Sequence, residues 1–159
     1  MIVYAWKFIT YHHDPEYPFM ADYLQFSVQR NDIDQFCRFV IENEKELYVA
    51  TTSIPNGSPH YLDLEKDIIS DPREEFQEIA IQKIILNKYP VEIMINEGKM
   101  NIRLTNEGCN LFIESLQKSK TSGYYCEHNL DVRLKYKGQD SRDSKLIVWA
   151  AYEKGIVFY

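Results

Sequence analysis

The chain is poor in the residues that would commit it to a specialised class. It has three cysteines in 159 residues, an odd number with no paired spacing, which argues against a disulfide framework. Its six glycines form neither a G-x-G-x-x-G run nor a phosphate-binding loop. No H-E-x-x-H, paired C-x-x-C or G-x-S-x-G spacing occurs. No apolar run approaches the length of a membrane span. The opening residues, MIVYAWKFITYHH, lack the basic start and the small-residue cleavage site of a secretory signal. The expected setting is cytoplasmic, with no membrane partner, no cofactor and no metal.

What is present is ordinary for a globule: 45% hydrophobic and 26% charged residues, enough for one domain spanning 1–159 with a real core. Aromatic content is somewhat high, with 12 tyrosines, a residue that serves both sheet surfaces and interfaces. The net charge of −6 is unevenly spread. Between Glu42 and Glu78 ten acids stand against Lys45, Lys66 and Arg73, a local excess of seven. Between Gln117 and Lys145 seven bases stand against four acids. An acidic segment repels phosphate backbones, which argues against nucleic acid as the ligand. It attracts a basic protein and speeds the encounter.

The stretch 91–118 is the most legible. Val91, Ile93 and Ile95 alternate with polar neighbours, as do Met100, Ile102 and Leu104, so each run buries one face of a strand. Glu97-Gly98 fits the hairpin turn between them, where glycine supplies a positive φ without a Cβ penalty. Thr105 stands where a helix N-cap belongs, with Glu107 in the first turn. Cys109, Phe112, Ile113 and Leu116 then follow at helical spacing.

Elsewhere, VYAWKFIT within 1–11 reads as a strand, 12–19 as a loop, and Leu24, Phe26 and Val28 as the buried face of a second strand. Asp32 with Gln35 approximates a capping box, opening a helix with Ile33, Phe36, Cys37, Val40 and Ile41 on its apolar face. ELYVATT at 46–52 reads as a strand and 53–59 as a loop. Asp71-Pro72-Arg73-Glu74 predicts a short helical turn, followed by a strand through Leu86. Tyr124–Tyr136 reads as a strand, 137–144 as a polar loop, and the apolar run within 145–152 as a central strand with Trp149 in the core. Residues 156–159 form its terminal hairpin partner. Hairpins dominate. The expected class is α+β, a mostly antiparallel sheet packed against two main helices at about 32–43 and 105–118. Strand followed by helix occurs twice, at 23–43 and 91–118, without matching residue identities.

Candidate chemistry is sparse. His12, His13, Cys126 and His128 would bind a metal only if their segments met, and their spacing does not close a site. Cys109 near a helix start could be a nucleophile with His128. Cys109 and Cys37 both lie on apolar helical faces, which fits buried structural thiols better. No catalytic residue is assigned.

The segment VEIMINEGKMNIRLTNEGCNLFIESL, followed by YYCEHNLDV and KLIVWAAY, resembles small immunity proteins of bacterial polymorphic toxin systems over about 79–152. Leu130 stands where such families often show a second histidine. The resemblance implies a non-catalytic binder that neutralises a basic toxin by occluding it. The partner-binding candidates are Tyr61, Asp63, Glu65, Asp67, Asp71, Glu74, Glu75 and Glu78. The alternatives are a small hydrolase using Cys109, Cys126 or His128, and a structural subunit of a phage or defence assembly.

Overall fold

A computed structural model describes residues 1, 3–8, 11–12, 23–52, 68–69, 73–85, 88–121, 128–136 and 139–151. At 6–8, 11–12, 23, 25, 68–69, 73–74, 128–129, 139 and 141–151 the description is confined to the backbone. The strands are β1 (Val3–Phe8), β2 (Tyr11–His12), β3 (Tyr23–Gln29), β4 (Glu46–Ala50), β5 (Ile68–Ile69), β6 (Arg73–Glu75), β7 (Glu78–Lys83), β8 (Val91–Asn96), β9 (Lys99–Leu104), β10 (His128–Tyr136) and β11 (Gln139–Ala151). The helices are α1 (Ile33–Glu42) and α2 (Asn106–Thr121).

β2 and β5 form a separate antiparallel pair. The other nine strands form one sheet in the order β4-β7-β9-β8-β10-β11-β3-β1-β6. Five of its eight neighbouring pairs are antiparallel and three parallel. The class expected from sequence, α+β and mostly antiparallel, is the one found.

The sheet closes on itself. β6 lies at one end of the order and β7 next to the other end, yet only Phe76 and Gln77 separate them. Phe76 donates its N–H to Ala5 O at 3.0 Å and Gln77 donates to Gly98 O at 2.7 Å, so adjacent peptides tie opposite ends of the sheet together. Thr52 N–H also donates to Val3 O at 2.8 Å, bringing the end of β4 to the start of β1. Two helices could not cover nine strands from outside. The apolar faces of β3, β4, β7, β8, β9 and β10 therefore turn inward, where they form one cluster with the buried sides of both helices. At its centre Phe26 packs on Phe36 and Phe112, with ring centroids 5.4 and 5.3 Å apart. Aromatic packing of this kind adds about 0.5–1.5 kcal/mol per pair beyond area burial.

This closed sheet is built from two ββαββ units related by an internal twofold. The first comprises β1, β3, α1, β4 and β7, the second β8, β9, α2, β10 and β11, and their registers coincide. Ala5 pairs with Phe26 as Ile93 pairs with Ile102. Val49 pairs with Ile79 as Leu130 pairs with Leu146. Between the units, Val28 pairs in parallel with Ala150 as Leu104 does with Lys83. Glu92 stands opposite Arg133 in parallel, and the Thr52-to-Val3 bond is the one that a parallel Tyr4–Thr52 pairing makes. From strand to helix the equivalence keeps a constant spacing of 76 positions. Leu24, Phe26, Val28, Phe36 and Val40 match Met100, Ile102, Leu104, Phe112 and Leu116, all of them buried.

Local expectations fare unevenly. Gly98 takes φ 75° in the hairpin turn, as required. Thr105 Oγ1 accepts from Gly108 N–H at 3.1 Å, capping α2 as expected. The capping box at Asp32 does not form. A 3-10 turn at Arg30–Asp32 leads into α1, and Asp32 makes no side-chain cap bond, facing the terminal amine at 3.9 Å instead. The helical turn expected at 71–74 is corrected: 73–75 is strand β6. Its pairing with β1, and the burial of Phe76 beyond it, outweigh the local helix signals. β7 ends at Lys83, short of Leu86, which lies outside the described residues. The polar loop expected at 137–144 is corrected too, because β11 runs from Gln139, zipped to β10 through a register shift. β11 is interior to the sheet, as its apolarity suggested. Ile41, placed on the apolar face of α1, is 59% exposed. Residues 13–20, 53–59 and 156–159 lie outside the described residues.

Candidate functional site

The acidic surface expected from sequence is only partly in view. Tyr61, Asp63, Glu65, Asp67 and Asp71 lie outside the described residues, and of Glu74 only the backbone in β6 is described. Glu75 is half-buried beside it. Glu78 is engaged within the molecule, 3.2 Å from Lys99 Nζ. That ammonium also sits 4.5 Å above the ring of Tyr48, a cation–π arrangement on an exposed tyrosine. Glu42, Glu44 and Glu46, at the start of the same acidic segment, are exposed. The turn carrying them is held by Asn43: its side-chain amide donates to Glu46 O at 2.9 Å, and its Oδ1 accepts from Lys45 N–H at 3.2 Å. Sequence reading passed over these three acids and Tyr48 as surface candidates. The alternation of ELYVA, which puts Glu46 and Tyr48 on the outward face, was the available signal.

The outer face of β8, β9 and β10 is polar and internally satisfied. Glu92 is 3% exposed, yet it is charged against Arg103 at 2.8 Å and Lys135 at 3.7 Å. Arg133 forms a bidentate pair with Asp140 and stacks 5.2 Å from the Tyr89 ring; the Asp140 carboxylate raises its pKa. The internal twofold places Tyr4 and Ser27, both buried, where Glu92 and Arg103 stand.

The two helices run antiparallel, so the twofold generates two crevices between them. In the first, at the start of α1 and the end of α2, the Asp34 carboxylate accepts from Lys120 Nζ at 2.5 Å and from Gln117 Nε2 at 3.3 Å. The Lys120 bond, then the Gln117 bond, hold its carboxyl below its usual pKa. In the second, Asn110 and Ile41 stand where Asp34 and Gln117 do, while Glu44, 76 positions before Lys120, lies past the end of α1. A cavity of about 540 Å³ opens there, lined by Ile41, Lys83, Asn106, Cys109, Asn110, Ile113 and Glu114. Lys83 is committed to the end of α1, its Nζ donating to Ile41 O at 2.8 Å, where a cation offsets the helix dipole. Glu114 pairs with Lys118 at 2.6 Å.

Cys109 lines this open crevice. Burial pushes its thiol pKa up and Lys83 draws it back only in part, the opposite of what a nucleophile at neutral pH needs. Cys37 is buried and raised for the same reason. Cys126 and His13 lie outside the described residues, and only the backbone of His12 and His128 is described. Among the described residues no group of three or more His, Cys, Asp or Glu could hold a metal. Among them, too, no helix is long and apolar enough to cross a membrane.

Comparison with models of known protein families, with curated proteins and with solved structures finds no match to this chain.

Proposed function

We propose that the protein is a non-catalytic binding module of the immunity type, which neutralises a basic, toxin-like protein by occluding it with an acidic surface. The observation that carries this reading is the acid excess across 42–78. Within it Glu42, Glu44 and Glu46 are exposed around a turn that Asn43 ties down. A fixed patch of one sign raises encounter rates with an oppositely charged protein. The resemblance of 79–152 to small immunity proteins points the same way. The raised pKa of Cys109 runs against that thiol as the nucleophile of a hydrolase.

The test is association with a basic, toxin-like protein, sought first among the products of neighbouring genes. Binding is expected to weaken as salt rises, and a triple charge reversal of the exposed Glu42, Glu44 and Glu46 to lysine is expected to slow association about tenfold or more. Rates indifferent to both changes would remove the electrostatic basis of the proposal.

A further inference from the structure

We infer that the outer edge of β4 is a strand-addition site, taking an extended segment of another protein in which apolar and basic residues alternate. This goes beyond the binding function proposed above, because it stands on the backbone of β4 and not on the identity of the partner.

β4 is an end strand of the sheet order, with β7 alone beside it, whereas its counterpart β10 has β11 on one side and β8 on the other. The closure of the sheet does not cover this edge. It reaches the chain only beyond the end of β4, where Thr52 N–H meets Val3 O. The bonds at the two ends of the β4–β7 pairing fix which backbone groups are spent. Lys83 N–H donates to Lys45 O, and Thr51 N–H donates to Gln77 O. The register between them runs without a shift, from Glu46 with Gln82 to Ala50 with Glu78. Backbone direction alternates along an antiparallel strand. Leu47 and Val49 therefore bond to β7, and Glu46, Tyr48 and Ala50 turn their N–H and C=O groups the other way. The Glu46 carbonyl is taken by the Asn43 side-chain amide. Among the described residues no hydrogen bond reaches the outward N–H and C=O of Tyr48 or Ala50, and both residues are exposed. Such a row of backbone groups is a template for another strand.

The side chains along the edge set the pattern of the segment. Leu47 and Val49 face the core, and Leu47 is only half-buried where it packs against it. Glu46, Tyr48 and Ala50 occupy the outer face, all exposed. A strand laid alongside continues both faces. Its inward residues extend the apolar cover of Leu47, and its outward residues stand beside Glu46 and the Tyr48 ring. From Glu42 to Tyr48 three acids stand against one base, Lys45, and the cation already over Tyr48, Lys99, is paired with Glu78. Opposite charges on neighbouring strands attract and like charges repel. Lysine or arginine at the outward positions fits this edge, and aspartate or glutamate does not.

The test follows backbone amide exchange by NMR in the full chain, with short capped peptides as probes. One alternates valine and lysine, one alternates valine and glutamate, and a third is the lysine peptide methylated on every backbone nitrogen. In the free protein the amides of Tyr48 and Ala50 should exchange about tenfold or more faster than those of Leu47 and Val49. The lysine peptide should slow Tyr48 and Ala50 by about tenfold or more and leave Leu47 and Val49 unchanged. The glutamate peptide should need about tenfold more peptide for the same effect, and the methylated peptide should have none. Ala50→Pro removes an outward donor and no bond to β7, and should weaken binding of the lysine peptide. Tyr48 and Ala50 amides that are slow in the free protein, or that slow with protein concentration alone, would show the edge already covered by this chain or by a second copy and would overturn the proposal. A lysine peptide that leaves both amides unprotected would overturn it too, while the salt and charge-reversal test of the acidic surface would be unaffected. Equal effects of the two peptide charges would overturn the basic character of the segment.

Discussion

The two interhelical crevices are made by the same fold and differ in what their side chains do. Around the aromatic centre the twins are alike: Phe36 and Phe112 pack on Phe26 and on each other, 6.4 Å apart. Away from it they diverge. One end of the helix pair is tied by an acid, an amide and a base. The other has an amide, Asn110, and an isoleucine, Ile41, in place of the acid and the amide. The core tolerates only volume-matched apolar residues, so it preserves the symmetry. The surface is under no such constraint, and there the symmetry is broken. The crevices are one place where the units differ; the Glu92–Arg103 pair against buried Tyr4 and Ser27 is another.

Substitutions can break or sharpen that comparison. The largest effect is expected in the shared centre. Phe112→Ala, a fully buried ring at the meeting of both units, should cost about 3–5 kcal/mol, and Phe36→Ala a similar amount, by urea unfolding. A large cost for one and little for the other would deny them equivalent roles. Next comes a site where the units differ. A Cβ on Gly108 would stand 1.9 Å from Pro90 O, the carbonyl that also accepts from Thr105 N–H. Gly108→Ala should therefore cost about 1–3 kcal/mol through overpacking against backbone. A neutral result would mean that the start of α2 is free to shift, and the open crevice with it.

The smallest effect is the acid response of the closed crevice. The Asp34 carboxyl has its pKa lowered in the folded protein, so its stabilising contribution is present above the ordinary aspartate range and is lost as pH falls through the folded value. The pair is exposed and screened by solvent, which keeps the effect modest. Asp34→Asn should flatten the acid limb of stability against pH slightly. A steeper limb in the variant would contradict the assignment.

Much of the local structure was legible because it is set by neighbours in sequence. The hairpin at Glu97-Gly98 and the cap at Thr105 each need one residue of the right type, and both are present. The duplication was half visible as two strand–helix segments. Across 23–42 and 99–118 the only identity at the 76-residue spacing is Phe36 with Phe112. What recurs is apolarity and size, because packing selects for those and not for identity. The parallel pairings that join the units were out of reach: they link residues such as Val28 and Ala150, far apart in sequence, through long-range register. For the same reason Arg73–Glu75 became a strand despite its helix-start residues: the partner that decides it is β1. Of the candidate site, charge imbalance pointed to 42–78, but an alternation pattern cannot show that Lys99 neutralises Glu78. Nor can it show that Gln117 and Lys120 tie Asp34 across the helices.

The most direct test of the account compares the thiols of the two crevices. Cys109 lies in the open one, half-buried, and Cys37 is buried under the helix pair. Alkylation resolved residue by residue by mass spectrometry should label Cys109 faster than Cys37 in the free protein. Equal labelling rates for the two thiols would contradict the account.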